Sequence, residues 1–295
     1  MLQWTPSGAV ATPRTIQIRV QRSHPDRVAV GAPDATRSLS PQELLANIRF
    51  FTEGLQGPRT TPCTRLVLSG VGVARRPDLV DAVDLATELG IEEVILHASA
   101  SDLSKQSRRL IRVSRMVLPI PLQSPDRQRM QRSLRQMKIP WIGLLRLSAL
   151  PSAPLEVESL IDGVMESPPD ELILSSPFPV DLQTPAPDVG KARLWLKAVE
   201  ERLDPSSTPW RVQGLPACYL PEAHRRTRRA GNRWYVDSEH QLEEALRFFP
   251  DVMRFHKSEG CRFCVLDGRC DGFFEQWIGE SQLPKLEPVT VAPRV

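Results

Sequence analysis

Short apolar runs recur along the chain, separated by longer stretches in which apolar residues return every three or four positions. The first pattern predicts β-strands and the second predicts amphipathic helices. The predicted strands cover residues 15–20, 66–68, 94–96, 116–118, 141–147, 171–174 and 210–213. The predicted helices between them cover residues 40–51, 77–89, 103–113, 126–137, 155–165 and 189–203.

Strands and helices that alternate in this way form a parallel sheet with right-handed crossovers. Six such units and a closing strand predict an α/β fold, a partial (β/α)6 TIM-like barrel, with a doubly wound sheet as the alternative. In either fold, ligands bind at the carboxyl ends of the strands. The predicted division is an N-terminal arm over 1–14, the barrel over 15–216, a small cysteine-rich extension over 217–280 and a flexible tail over 281–295.

The composition is that of an ordinary soluble chain, with 41% hydrophobic residues, 25% charged residues and a net charge of +3. No apolar run approaches the roughly 18 residues that would span a bilayer. The N-terminus shows no secretory signal pattern, and the odd count of five cysteines argues against a disulfide framework. We therefore expect a cytoplasmic protein with no membrane partner.

Three of the five cysteines, Cys261, Cys264 and Cys270, follow a C-x2-C-x5-C spacing near the C-terminus. A C-x-x-C pair directs two sulfurs toward one metal, and Gly268 permits the chain reversal before the third sulfur. Cys218 is the natural fourth ligand. The sequence therefore predicts a metal or cluster site in the extension, with three reduced cysteines and no metal as the alternative. Cys63, which precedes the second strand, is predicted to be a small buried apolar residue.

Two features lie at the predicted carboxyl ends of strands. The turn that contains Gly70 and Gly72 could bring backbone amides close to a phosphate or carboxylate, although a tight turn without a ligand explains the same residues. His97 ends the third strand, where it could contact a cofactor or act as a general base. A polar residue at the barrel mouth without such a role is the alternative for His97.

Basic residues concentrate between Lys105 and Lys138, where ten Lys and Arg face a single acid, Asp126. The helical spacing predicts two neighbouring basic helices, whose faces either bind an anionic partner such as nucleic acid or are simply solvated. A second basic cluster occupies residues 224–229, between Cys218 and the cysteine triplet.

Three stretches resemble the radical SAM superfamily, specifically the members with a C-terminal SPASM- or twitch-type extension. They are the second strand with its turn and the following Arg-Pro-Asp-Leu at 76–79, the third strand and its polar end over 90–99, and the cysteine triplet. The resemblance implies a partial barrel and an auxiliary [4Fe–4S] cluster held by Cys218, Cys261, Cys264 and Cys270. Phe274 stands where the last cysteine of the family's fuller run would be.

The chain departs from that family where S-adenosylmethionine would bind. No cysteine occurs before Cys63, and Ser23, Arg27 and Val30 occupy the three spacings of the family's C-x3-C-x2-C. These side chains cannot hold a cubane. The turn at 70–72 also lacks the glutamate that positions S-adenosylmethionine in the family. The resemblance with these losses implies a fold without reductive cleavage of S-adenosylmethionine.

The sequence is compatible with more than one metal and with more than one function. Iron–sulfur is favoured over zinc, because a compact triplet with one remote cysteine resembles the auxiliary-cluster pattern. The first functional hypothesis is a pseudoenzyme that binds a peptide or protein partner, such as an active radical SAM enzyme. The second is an enzyme of altered chemistry that acts on a small anionic substrate at the barrel mouth near Arg27, Gly70, Gly72 and His97. Nucleic-acid binding through the basic helices is a third.

Overall fold

A computed structural model describes most residues of the chain. These are residues 4–5, 8–9, 13–21, 37–54, 62–70, 72–103, 112–147, 154–175, 188–203, 208–219, 232–248, 255–274 and 286–290.

The strands and helices follow the order that the sequence predicts. The strands are β1 (Trp4–Thr5), β2 (Gly8–Ala9), β3 (Thr15–Arg19), β4 (Arg65–Ser69), β5 (Glu93–His97), β6 (Arg115–Pro119), β7 (Trp141–Arg146), β8 (Glu171–Ser175), β9 (Trp210–Gln213), β10 (Arg233–Val236), β11 (Leu246–Phe248), β12 (Phe255–His256) and β13 (Phe273–Phe274). The α-helices are α1 (Pro41–Arg49), α2 (Leu79–Glu88), α3 (Ala100–Leu103), α4 (Ser124–Met137), α5 (Pro154–Met165) and α6 (Val189–Arg202).

The fold is α/β, with eight parallel strands in a sheet that is not closed into a complete barrel. All seven predicted strands are present, each within one residue of its predicted bounds. Strands that follow one another in the chain are neighbours in the sheet, as in a barrel and unlike a doubly wound sheet. The predicted fold class is therefore confirmed. Of the predicted helix over 103–113, residues 104–111 lie outside the described part.

The chain divides into two compact units. The first unit contains β3 to β6 and also β10 and β11, which the sequence analysis did not predict. Strand β10 pairs with β3 in parallel, with Trp234 opposite Ile16, and β11 pairs with β10 in antiparallel orientation. Residues 232–248, predicted to belong to the cysteine-rich extension, thus extend the sheet beside its first predicted strand.

The sheet of the first unit has one apolar face and one face on which charged and apolar residues mix. The alternate residues Ile16, Ile18, Leu66, Leu68, Val94 and Leu96 are buried. On the opposite face, Glu93 accepts from Arg65 at 2.5 Å and lies 3.9 Å from Arg115. Because side chains alternate along each strand, these charged groups share their face with the buried Val67 and Val117.

Helix α1 begins with the predicted capping box. The Ser40 hydroxyl accepts from the Glu43 backbone N–H at 3.1 Å, and the Glu43 carboxylate accepts from the Ser40 N–H at 2.7 Å. Farther along the helix, the fully buried Asn47 donates to the Gln241 side chain at 3.0 Å and accepts from the Leu242 N–H at 2.9 Å. These bonds fasten the segment between β10 and β11 to α1.

The second unit contains β7, β8 and β9, helices α5 and α6, and the cysteine-rich segment. Arg202 of α6 joins the two helices by ion pairs with Asp162 at 2.8 Å and Glu158 at 2.5 Å. Among the described residues, no helix has both the length and the apolar character needed to cross a membrane.

Candidate functional site

The cysteine triplet lies between two short paired strands. Strand β12 pairs with β13 in antiparallel orientation, with His256 opposite Phe273 and Phe255 opposite Phe274. Phe274, at the position of the missing cysteine, therefore belongs to β13. The loop between the two strands carries all three cysteines of the C-x2-C-x5-C run.

Two tight 3-10 turns shape this loop, over Glu259–Phe263 and Asp267–Arg269. The Cys264 N–H donates to the Cys261 carbonyl at 2.9 Å, which closes the C-x-x-C turn. Lys257 fastens the second turn, because its ammonium group donates to the Asp267 carboxylate at 2.8 Å and to the Asp267 carbonyl at 3.1 Å.

All four cysteines of the predicted site line one cavity. Cys218 comes from the short turn Ala217–Tyr219, which follows β9, and meets the loop that carries Cys261, Cys264 and Cys270. The cavity encloses about 330 Å³, part of it open to solvent, and its wall also includes Lys257, Asp267, Gly272, Leu286, Glu287 and Pro288. The fifth cysteine, Cys63, is buried with its sulfur 3.7 Å from the Pro13 carbonyl oxygen, as predicted for a small apolar residue.

Backbone donors point at the sulfurs of the cavity. Cys270 accepts from the N–H groups of Ala217 at 3.4 Å and Gly272 at 3.3 Å, and Cys264 accepts from the Val289 N–H at 3.3 Å. Gly272 has φ +88, and a Cβ there would lie 2.4 Å from the His256 carbonyl oxygen. Only glycine can therefore bring its N–H to Cys270 at this position.

The surroundings of two cavity thiols, Cys218 and Cys270, disfavour the thiolate form and raise the pKa of each. Burial raises the pKa of Cys218 to about 11. A backbone hydrogen bond from Glu287 opposes this rise, and Cys270 and Cys261 add to it when they are ionised. Burial also raises the pKa of Cys270, against the N–H bonds from Ala217 and Gly272. A bound cation would reverse this preference, because metal ligation requires thiolates.

Within the described ranges, no group of three or more His, Cys, Asp or Glu side chains is arranged to hold a single metal ion.

The structure accounts for Gly70 by close packing. Gly70 has φ +117, and a Cβ there would lie 2.8 Å from the Gln21 carbonyl oxygen and 2.9 Å from the Gln21 nitrogen. Gly72 has φ +66, with no atom within 4 Å of its missing Cβ, and it precedes the short turn Val73–Arg75. Val71 lies outside the described residues. Both glycines fit the tight-turn interpretation, and their role as a ligand-binding turn stays a prediction.

His97 lies at the carboxyl end of β5, next to the end of β4 that leads to Gly70. Its side chain reaches solvent, but the surrounding protein displaces much of its hydration and, together with the positive charge of Arg233, lowers its pKa to about 4. The ring is therefore neutral at pH 7 and can donate or accept a hydrogen bond. Its predicted role as a cofactor contact stays a prediction.

The predicted basic region is only partly a surface patch. Arg129, Arg132 and Arg135 of α4 are exposed, whereas Arg127 is 5% exposed and donates to the carbonyls of Pro121 and Leu122. The rest of the region lies partly in the undescribed residues 104–111. The cluster at 224–229 and the loop that contains Ser23, Arg27 and Val30 also lie outside the described residues.

Two parts of the cavity were missed by the sequence analysis. Lys257 is one isolated lysine before the triplet, and its spacing from Asp267 carries no recognisable pattern. Residues 286–288, which line the cavity, fall within the predicted flexible tail of 281–295, whose prolines and lack of periodicity give no signal of a contact.

No family model matches the chain, and no curated protein matches it in sequence. Solved structures similar in fold are those of Streptococcus suis SuiB. The structure of SuiB bound to S-adenosylmethionine matches with a TM-score of 0.60 at 12% identity, covering 92% of this chain and 75% of SuiB. SuiB bound to the precursor peptide SuiA matches with a TM-score of 0.57 at 11% identity, covering 92% of this chain and 74% of SuiB. At these identities the likeness shows a shared fold.

Proposed function

We propose that the chain is a radical-SAM-like pseudoenzyme that holds a [4Fe–4S] cluster on Cys218, Cys261, Cys264 and Cys270 and binds a peptide or protein partner in a maturation pathway. The observation that carries the proposal is the cavity shared by all four cysteines, one of which lies 43 residues before the triplet in sequence.

The donor set and its surroundings fit such a cluster. Four thiolates are the usual ligands of a cubane, and N–H donors to the sulfurs are a normal feature of its surroundings. Zinc is the alternative, since it also accepts four thiolates. The compact triplet with one remote cysteine resembles the auxiliary-cluster pattern more than the two C-x-x-C pairs that are usual for structural zinc.

The residues around the cavity have distinct tasks in this proposal. Ala217 and Gly272 direct N–H dipoles at Cys270 and stabilise its thiolate. Lys257 brings a positive charge near Cys270 and fastens the loop through Asp267. A [4Fe–4S] cluster supplies one-electron transfer, and ligation by four cysteines leaves it no open position for a substrate. A structural or electron-carrying role follows.

The sequence and the fold likeness support the remaining parts of the proposal. The lost cysteines at Ser23, Arg27 and Val30 argue against cleavage of S-adenosylmethionine by this chain. A protein that shares its fold, SuiB, is known in complex with a precursor peptide. A peptide partner for this chain is consistent with that complex.

Metal analysis of anaerobically purified protein tests the site. The wild-type protein should carry about four iron atoms per chain and absorb in the visible range, as a [4Fe–4S] cluster requires. Cys218→Ser should lower the metal content as strongly as Cys264→Ser, and Cys63→Ser should leave it unchanged. Full metal content in Cys218→Ser would exclude the four-cysteine site, and a colourless protein with one zinc would establish the alternative metal.

A further inference from the structure

Residues 286–290, named here the C-terminal strap, contact the cysteine site at several points. Leu286, Glu287 and Pro288 form part of the cavity wall. The Val289 N–H donates to the Cys264 sulfur at 3.3 Å, and Glu287 lines the same cavity as Cys218. The strap therefore borders both segments that carry the cysteines.

The strap is also held in register with the loop. The Val265 N–H donates to the Val289 carbonyl at 2.9 Å, so Val289 bonds to two consecutive residues of the loop. A Cβ on Gly260 would lie 3.3 Å from the Pro288 ring, which shows how closely Pro288 packs at this point. Two backbone bonds and one close packing contact fix the strap at one place on the loop.

From these contacts we infer that the C-terminal strap is a positioning element of the proposed cluster site, supplying an N–H donor to the Cys264 sulfur and covering one side of the cavity. The inference rests on the proposed function. Hydrogen bonds to the sulfurs favour the more negative reduced form of a cluster, so they raise its reduction potential. A wall over the cavity also limits the access of oxygen and solvent.

Two substitutions at Val289 separate the donor from the side chain. Val289→Pro removes the N–H, whereas Val289→Ala removes most of the side chain and keeps the N–H. A chain that ends at Lys285 removes the whole strap. All three are compared with the wild type by reductive titration of the purified holoprotein and by the loss of its visible absorbance in air.

We expect Val289→Ala to match the wild type. Val289→Pro and the shortened chain should have a lower reduction potential and lose absorbance several-fold faster in air. If the metal is zinc, its transfer to a chelator should be accelerated several-fold by the same two changes. The role of the strap would be overturned if Val289→Pro and the shortened chain had the same reduction potential and the same rate of absorbance loss as Val289→Ala. The proposed function would remain intact in that case, provided that Cys264→Ser still loses the metal.

The metal content of the wild-type protein distinguishes a failure of the proposed function from a failure of the inferred role of the strap. If the wild-type protein holds no metal, the proposed function fails, and the strap is tested on the free thiols. Alkylation of Cys218 and Cys264 by iodoacetamide, followed by mass spectrometry with the buried Cys63 as reference, should be several-fold faster in the shortened chain. Equal alkylation rates in the wild-type and shortened chains would overturn the inferred role of the strap.

Discussion

The two glycines after β4 differ in what surrounds them, and this difference decides how each can be interpreted. Gly70 is fixed by the backbone of Gln21, whereas Gly72 has open space beside its Cα. A glycine required by packing needs no ligand to explain it. Gly72 requires glycine only through its backbone angle, so it is the better candidate for a close approach by another molecule.

Substituting each glycine by alanine tests this difference. Gly72→Ala should cost about 1 kcal/mol of unfolding free energy, because only the left-handed backbone angle is strained. Gly70→Ala should cost more, because strain of about 1–3 kcal/mol is joined by a clash with the backbone of Gln21. Unfolding in urea measures both. Equal losses would show that the contact with Gln21 is not tight.

Glu43 links the stability of the fold to pH. The Ser40 backbone N–H and the Gln241 side chain donate to its carboxylate and lower its pKa from 4.5 to about 2. A carboxyl with a lowered folded-state pKa stabilises the fold above pH 4.5, and this contribution is lost as the pH falls toward 2. Glu43→Gln should therefore flatten the dependence of stability on pH in this range, measured by thermal unfolding. An unchanged slope would contradict the assignment.

At the scale of elements, the sequence predicts regular segments well and edge segments poorly. The seven predicted strands have continuous or alternating apolar residues, because their side chains enter a core on at least one face. Strand β10 has only four residues, Arg-Trp-Tyr-Val, and follows an arginine-rich stretch, so its alternation is too short to identify. Its place beside β3 depends on a contact with residues more than two hundred positions earlier.

The candidate site also contains residues that the sequence predicts and residues that it does not predict. The spacing of the triplet and the choice of Cys218 as the natural fourth ligand name four cysteines, and all four line the cavity. Their role as metal ligands stays a prediction. Lys257, Gly272 and residues 286–290 contribute through backbone bonds and single side chains. Such contacts leave no periodicity or spacing in a single sequence.

Asn47 provides the test at this scale. It is fully buried in α1 and holds the segment after β10 through the Gln241 side chain and the Leu242 N–H. Asn47→Ala removes the bonds to the partly buried Gln241 side chain and Leu242 N–H and should lower the unfolding free energy by about 1–3 kcal/mol. Gln42→Ala, at an exposed position of the same helix, should change it by less than about 0.5 kcal/mol. Similar small losses in both variants, measured by urea unfolding, would show that Asn47 does not anchor the segment.

At the scale of the whole molecule, the barrel and the cysteine site have separate requirements. The fold shared with SuiB needs only the sheet and its helices, which this chain retains. Cleavage of S-adenosylmethionine would need a second set of three cysteines, and the chain has only Cys63 outside the proposed site. A single buried thiol, whose pKa burial raises to about 12, cannot replace them.

Anaerobic incubation of the holoprotein with S-adenosylmethionine and a strong reductant should therefore yield no 5′-deoxyadenosine above a control without protein. The loop that carries Ser23, Arg27 and Val30 offers no thiolate for a catalytic cluster, and a cluster on four cysteines has no iron free to bind S-adenosylmethionine. The Cys261→Ser protein is the matched control, because it should lack the cluster and give the same background. Product formed by the wild type and lost in that control would show that the C-terminal cysteines support cleavage. Product formed equally by both would place the activity elsewhere in the chain, and either result would end the pseudoenzyme proposal.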